Sequence, residues 1–250
     1  MTSAFIGATV AVVLYCLWVR RDTWWSRWEI GVTSAIALEG CAAVLLSPWA
    51  AQTLGPGVHR AARIWNLQQL AGHICIVIAI GANVYHVLLR LADFDRIRPL
   101  FCRWVKWPAC VGVVAMVVVF VIADAGYRPD GFATDGDGAW MDAYWVLLCG
   151  LVIYLSGYAT RLLLMVRSDP RAKETVELYT ASSAFALAAF TAQLSTTWTN
   201  TDVSPLVWFF ACMSLVIFAY GSARSWRAKA AWFISGDRSA TRANPPRTPS

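Results

Sequence analysis

Residues 109–123 form an unbroken apolar run, and comparable runs recur along the whole 250-residue chain. About 20 consecutive apolar residues are enough for a helix to cross a bilayer. A membrane-spanning strand would alternate apolar and polar residues, so these runs predict helices and exclude a β-barrel. We therefore predict an all-α membrane protein, a seven-transmembrane-helix bundle, with spans at roughly 2–20, 28–50, 64–90, 107–126, 140–165, 174–198 and 204–226.

The composition leaves no room for a separate soluble domain. Hydrophobic residues make up 58% of the chain and charged residues 14%, whereas soluble domains carry about 25% charged residues. The predicted spans occupy residues 1–226, which we take as one transmembrane domain. The remaining residues, 227–250, are polar toward their end and contain three prolines after Ser235, so we predict a largely disordered cytoplasmic tail.

The positive charges fall on one side of the predicted spans. Of the 21 Lys and Arg residues, 18 lie in the loops after spans one, three and five or in the tail, while Arg60, Arg63 and Arg128 lie on the other side. Loops rich in Lys and Arg remain in the cytoplasm. We predict a multi-pass protein of the plasma (inner) membrane with its N-terminus outside and its C-terminus inside. The 14 tryptophans agree, because the predicted topology places them at or near the span ends.

The net charge of +6 follows from this topology. Charge gathered beside a membrane favours anionic lipid headgroups as partners rather than nucleic acid. The basic loops and tail also form a surface to which a cytoplasmic protein partner could bind.

One acidic residue lies close to the middle of a predicted span. Glu39 is about 15 Å below the outer interface at 1.5 Å per residue, and His73 in the next long span is about 12 Å below it. Asn66, Gln69 and His73 share one helical face by their spacing. A charged side chain in the membrane faces the bundle interior or water and needs a partner. We expect Glu39 and His73 to meet if spans two and three pack together.

Further polar residues lie near the outer ends of later spans. Asp124 ends the fourth span, and Gln193 lies in the sixth. Together with Glu39, Asn66, Gln69 and His73 they could form a ligand or proton site in the outer leaflet, with Glu39 and His73 as the titrating pair. The alternative is a hydrogen-bonded network that only fixes helix packing.

No sequence pattern indicates a cofactor, a metal or an enzyme. The seven cysteines contain no C-x-x-C pair, and no phosphate-binding loop, nucleophile elbow or H-E-x-x-H motif occurs. The two histidines of the third span point about 140° apart at 100° per residue, which argues against bis-histidine haem, and the last span has no lysine for retinal. We expect a mobile outer loop, not a calcium site, from its four acidic residues: Asp130, Asp135, Asp137 and Asp142.

The start of the third span carries the pattern Trp65-Asn66-Leu67, Leu70 and Gly72-His73, followed after the span by a basic loop, and the fifth span is rich in tyrosine. In this plan residues 1–226 resemble a loosely defined group of seven-span membrane proteins of actinobacteria and their phages, some labelled transporters. The resemblance implies a membrane location and no catalytic residues.

Three functional hypotheses follow. The first is a non-enzymatic sensor or partner-binding module with a polar pocket in the outer leaflet. The second is a small proton-coupled transporter that uses Glu39 and His73, although the sequence has no internal repeat of the kind many transporters show. The third is a phage-encoded envelope or exclusion protein.

Overall fold

The computed structural model describes residues 2–91, 94–133, 138–167, 172–199 and 201–243. Every regular element in these residues is helical, which confirms the predicted all-α class. A 3₁₀ turn, Arg21–Trp25, lies between the first two α-helices, and a π-helical turn, Cys102–Lys106, joins the sixth to the seventh. The α-helices, numbered α1 to α10 along the chain, are Thr2–Val19, Ile30–Leu46, Pro48–Thr53, Gly55–Ala62, Leu67–Leu91, Phe94–Phe101, Trp107–Ala123, Ala139–Val166, Lys173–Thr199 and Ser204–Ala243.

Five helical stretches within the described residues are long and apolar enough to cross a membrane. They are α1, α5, α8, the continuous stretch Asp95–Ala123 that ends in α7, and Ser204–Ala231 of α10. The other two predicted spans correspond to α2, which is apolar but has only 17 residues, and α9, which is long but richer in Ser, Thr and charged residues. The helical character is therefore confirmed and five stretches are candidate membrane spans, which is consistent with a multi-pass membrane protein. The count of seven spans and the orientation remain predictions.

The predicted span 28–50 is divided into two helices at Ser47. This residue is extended (ψ 154°), and its hydroxyl oxygen accepts the Ala50 N–H at 3.2 Å, so it caps α3. Pro48 fits the first turn of α3, where no N–H is needed. A single apolar run can therefore contain a helix break when a capping residue and a proline are adjacent.

The centre of the bundle is formed by α5, which packs mainly against α2 and α8. Next to α8 lies α9, which also packs against α10, while α1 covers α10 and α2. By contrast α7 lies at the edge of the bundle, where it packs against α8. In the most apolar 18 residues of the stretch that ends in α7, 17% are buried, compared with 50% in the corresponding parts of α8 and α10. Of the two helices that are shorter or less apolar, α2 packs against α1, α5 and α10, and α9 packs against α8 and α10.

Close approach between α2 and α5 depends on glycine. A Cβ added at Gly31 would lie 3.2 Å from the Ala82 carbonyl oxygen, and one at Gly72 would lie 2.8 Å from Leu46 Cγ. Small residues at such crossings let membrane helices pack backbone to backbone. This packing brings span two against span three, as the short connection between them predicts.

Two ends of the bundle are used as landmarks below. At the arginine-rich end, hydrogen bonds and ion pairs join the end of α1, the start of α2, the end of α5 and residues 222–229 of α10. At the opposite end, called the loop end, α2 finishes and α5 and α10 begin. The boundary predicted at residue 226 lies inside α10, and residues 244–250 of the predicted tail lie outside the described residues.

Candidate functional site

A central cavity lies between α2, α5, α8, α9 and α10. Its volume is about 80 Å³, which is room for a few water-sized groups. The lining is mostly aliphatic and aromatic. Glu39 is the only charged residue among the described ones that line it, and Trp208, Cys212 and Ser214 add limited polarity.

Glu39 reaches this cavity from the middle of α2. Within the described part of the chain, no hydrogen bond or ion pair joins its carboxyl group to another residue. An isolated carboxylate in apolar surroundings is strongly disfavoured. The indole N–H of Trp208, which also lines the cavity, is buried without an acceptor among the described residues. The cavity therefore offers one unused carboxyl acceptor and one unused donor.

The cavity is covered at the loop end by residues 124–133, which we call the inserted loop. Phe132 at its tip is 1% exposed and lines the cavity. Its ring centroid lies 5.1 Å from that of Trp208, 6.0 Å from that of His73 and 6.3 Å from that of Phe190. An apolar side chain from a loop thus completes the interior of the bundle.

Asn66 holds the start of the inserted loop against α5. Its side-chain amide donates to the Gly126 carbonyl oxygen at 2.7 Å, and its Oδ1 accepts the Arg128 N–H at 3.0 Å. The backbone of Asn66 is left-handed (φ 58°), a conformation that Asn tolerates better than most residues. Gln69, one turn further along, donates to the Arg128 carbonyl oxygen at 3.3 Å.

The tip of the inserted loop is fixed by backbone contacts. The N–H of Gly131 donates to the Leu46 carbonyl oxygen at 2.8 Å, which satisfies one acceptor at the end of α2. A Cβ at Gly131 would lie 2.5 Å from Leu46 Cδ2, so a side chain there would displace the loop. The carboxylate of Asp130 accepts a hydrogen bond from the Phe132 N–H at 2.8 Å and another from the Ser204 hydroxyl at 3.3 Å.

The two acidic residues of the predicted outer loop that the structure describes, Asp130 and Asp142, lie in different parts of it. Asp130 belongs to the inserted loop, where it accepts hydrogen bonds from Phe132 and Ser204, and the mobility expected of the acidic loop remains a prediction. Asp142 lies in the first turn of α8, while Asp135 and Asp137 lie outside the described residues. No group of three or more His, Cys, Asp or Glu that could hold a metal occurs in the part of the chain that the structure describes.

His73 lies beside the cavity wall and pairs with α8. Its Nδ1 is 2.8 Å from the Tyr144 hydroxyl, and its ring meets the Trp145 ring edge to face at 5.5 Å. It also lies against the backbone of Gly131, although Nε2 makes no well-formed hydrogen bond. The predicted packing of α2 on α5 is present, but no hydrogen bond or ion pair joins Glu39 and His73 in the described residues. Phe132, which lines the cavity, contacts the ring of His73.

The remaining two predicted site residues do not line the cavity. Asp124 is exposed and ends α7 in a left-handed conformation (φ 40°). Gln193 is 0% exposed, and neither its amide nitrogen nor its amide oxygen has a partner within the described residues. Of the six predicted residues, Glu39 alone lines the cavity, Asn66 and Gln69 bind the inserted loop, and His73 packs behind it.

A second charged cluster, at the arginine-rich end, is centred on Glu29. Arg20 is 1% exposed, and its Nη2 lies 2.9 Å from Glu29 Oε2. Lys229 of α10 pairs with the other carboxylate oxygen, and Arg90 of α5 lies 3.8 Å from it. Arg20 also donates to Thr33 Oγ1 at 3.2 Å and to the Ser222 carbonyl oxygen at 2.8 Å. One carboxylate thus joins four segments of the chain.

The electrostatics of this cluster favour the ionised carboxylate. Burial acts to raise the pKa of Glu29, but the hydrogen bond and charge of Lys229, with the hydrogen bond of Arg20, outweigh it and lower the pKa from 4.5 to about 2. Because both carboxylate oxygens of Glu29 are paired with basic groups of the cluster, we assign it to helix packing rather than to ligand binding.

Sequence reasoning missed both the Glu29 cluster and the inserted loop. Arg20 is interpreted from sequence as an orientation signal, and Glu29 is an acid among basic neighbours. The only sequence feature that could have indicated the cluster is the position of Glu29, an acidic residue directly before the apolar run of α2. Trp145 and Trp208, predicted near the interface, are each 2% exposed and belong to the core.

Comparison of this chain with protein-family models, with curated proteins and with solved structures finds no match.

Proposed function

We propose that this chain is a multi-pass membrane protein that binds a small organic cation, such as a short-chain amine, in its central cavity. The observation that carries the proposal is Glu39, a carboxyl group without a partner in the described residues, in an otherwise apolar cavity between five helices. Binding of a cation would compensate the desolvated carboxylate, and the aliphatic wall would contact the alkyl chain. The cavity volume of about 80 Å³ restricts the ligand to a few non-hydrogen atoms.

The inserted loop gives this cavity a cover that could respond to occupancy. Phe132 contacts the cavity directly, and the rest of the loop is bound through Asn66, Gln69 and Leu46. We propose that the loop end faces outside, in keeping with the distribution of Lys and Arg, and that the protein is a non-enzymatic sensor. A ligand at Glu39 would then be detected as a change in the position of Phe132.

Thermal unfolding of the purified protein in detergent tests the proposal, with n-butylammonium as the probe. At a probe concentration about 100 times Kd, we expect stabilisation of about 2.7 kcal/mol for the wild type. Glu39→Gln should abolish this stabilisation. Glu174→Gln is the matched control, because Glu174 is an exposed residue of the arginine-rich end, and it should respond as the wild type does. Equal stabilisation of the wild type and Glu39→Gln would refute the proposal.

A proton-coupled transporter is the second candidate, and the same carboxyl group favours it. An acid between five helices could carry a proton when the cavity opens alternately to each side. Proteoliposomes distinguish the two: amine-driven proton flux that Glu39→Gln removes would establish transport, whereas binding without flux would establish the sensor.

A further inference from the structure

A second open space, separate from the central cavity, lies along the exposed side of α8. This space, the α8 crevice, has a volume of about 630 Å³ and is bounded by the end of α5, the end of α6, the π-helical turn and the second half of α8. Most of its lining is apolar, including Leu88, Leu100 and Leu162. The crevice lies toward the arginine-rich end, because α5 and α8 both finish there.

Arg161 is the only charged residue among the described ones that line the crevice. It is exposed, and no carboxylate, carbonyl or hydroxyl of the described residues pairs with it. Two tyrosines line the crevice beside it: Tyr158, and Tyr154, whose hydroxyl donates to the Trp104 carbonyl oxygen at 2.9 Å. An unpaired guanidinium beside interfacial aromatic rings is suited to an anionic oxygen group.

The wall of the crevice leaves space for an extended chain. At Gly157, one turn before Arg161, an added Cβ would meet nothing within 4 Å. The groove therefore continues as an apolar surface from the guanidinium along α8. A charged end and an apolar continuation match the two parts of a phospholipid.

The neighbouring segment adds to the positive potential. Residues 90–106 carry five Lys or Arg and two Asp, and Arg103 of this segment lies over the ring of Trp104, which lines the crevice. Basic pockets between membrane helices favour anionic over neutral lipid. A transmembrane helix of a second copy would bury the apolar wall but would leave Arg161 without a counter-charge.

We propose that the α8 crevice is a binding site for one anionic phospholipid, with its phosphate on Arg161 and an acyl chain on the wall formed at Gly157. Occupancy would join α5, the π-helical turn and α8, which are in contact with one another at this end of the bundle. The site is independent of Glu39 and of the proposed amine binding.

Native mass spectrometry tests the site by titrating palmitoyl-oleoyl phosphatidylglycerol, and separately the matching phosphatidylcholine, into detergent-purified protein. The wild type should retain one phosphatidylglycerol in preference to phosphatidylcholine. Arg161→Gln should weaken this retention about fivefold to tenfold. Gly157→Leu should weaken it similarly, because its side chain fills the groove without a clash in the protein.

Each variant has a control of equal chemical change. Arg98→Gln removes one exposed charge of the same end outside the crevice, and it should alter retention less than twofold. Gly7→Leu adds the same side chain on α1, outside the crevice, where a Cβ also meets nothing within 4 Å, and it should have no effect.

Three results would overturn the proposal. Retention within twofold of the wild type in both Arg161→Gln and Gly157→Leu would show that lipid does not bind in the crevice. Equal retention of phosphatidylcholine would exclude recognition of the anionic group. Dimers that only Gly157→Leu dissociates would identify a second copy of the chain as the occupant.

Discussion

Replacing Glu29 with Gln removes the only carboxylate that Arg20 contacts in the described residues, while Arg20 remains 1% exposed. The pKa of Glu29 falls from 4.5 to about 2 on folding. At 1.36 kcal/mol for each pH unit, this difference corresponds to about 3 kcal/mol of stability at neutral pH. The cost of breaking a buried ion pair by removing one partner is about 3–5 kcal/mol, in agreement. We therefore expect Glu29→Gln to lower the free energy of unfolding by about 3 kcal/mol.

Unfolding by SDS titration of the protein in mixed micelles measures this free energy. Glu174→Gln provides the comparison, because the ion pair of Glu174 with Arg224 has side chains 62% and 52% exposed. Exposed pairs contribute about 1 kcal/mol or less. A loss for Glu29→Gln no larger than that for Glu174→Gln would refute the account of the cluster, since it would mean that Arg20 is solvated without its partner.

Three further predictions concern the same contacts. Acidification from neutral pH to about pH 3 should destabilise the wild type more than Glu29→Gln in the same titration, because the contribution of Glu29 is complete above 4.5 and is lost as the pH falls toward its folded pKa of about 2. Asn66→Ala should lower the free energy of unfolding by about 2–3 kcal/mol, because two hydrogen bonds are lost and alanine is disfavoured in a left-handed backbone conformation. Asn66→Gly should lower it by about 1 kcal/mol less, because glycine adopts that conformation without strain. Equal losses for the two variants would exclude the backbone contribution. Gly131→Ala should increase proteolysis of the loop end, because its Cβ would clash with Leu46, whereas Gly126→Ala, whose Cβ meets nothing within 4 Å, should not.

The sequence was sufficient for the helices because their length and apolar character are local properties. Span two packs on span three as expected, and the apolar run 109–123 lies within α7. The helix break at Ser47 was missed because apolarity continues on both sides of it, although Ser-Pro is a local signal for a new helix.

The candidate site was less predictable, because its polar residues are paired through contacts distant in sequence. Asn66 and Gln69 share a helical face as predicted, yet their partners are backbone groups about 60 residues away. Phe132 gives no sequence signal for insertion, since it is one large apolar residue in a short loop of mixed composition. Glu39 could be identified because an acid in an apolar span is conspicuous without knowledge of its neighbours.

The central claim, that small amines occupy the cavity at Glu39, can be tested with a native cysteine. Cys212 lines the cavity, whereas Cys149 is buried in the core outside it. Methyl methanethiosulfonate followed by peptide mass spectrometry should modify Cys212 before Cys149, and n-butylammonium should slow the modification of Cys212 in the wild type but not in Glu39→Gln. Modification of both cysteines at the same rate, with no protection by the amine, would contradict the claim.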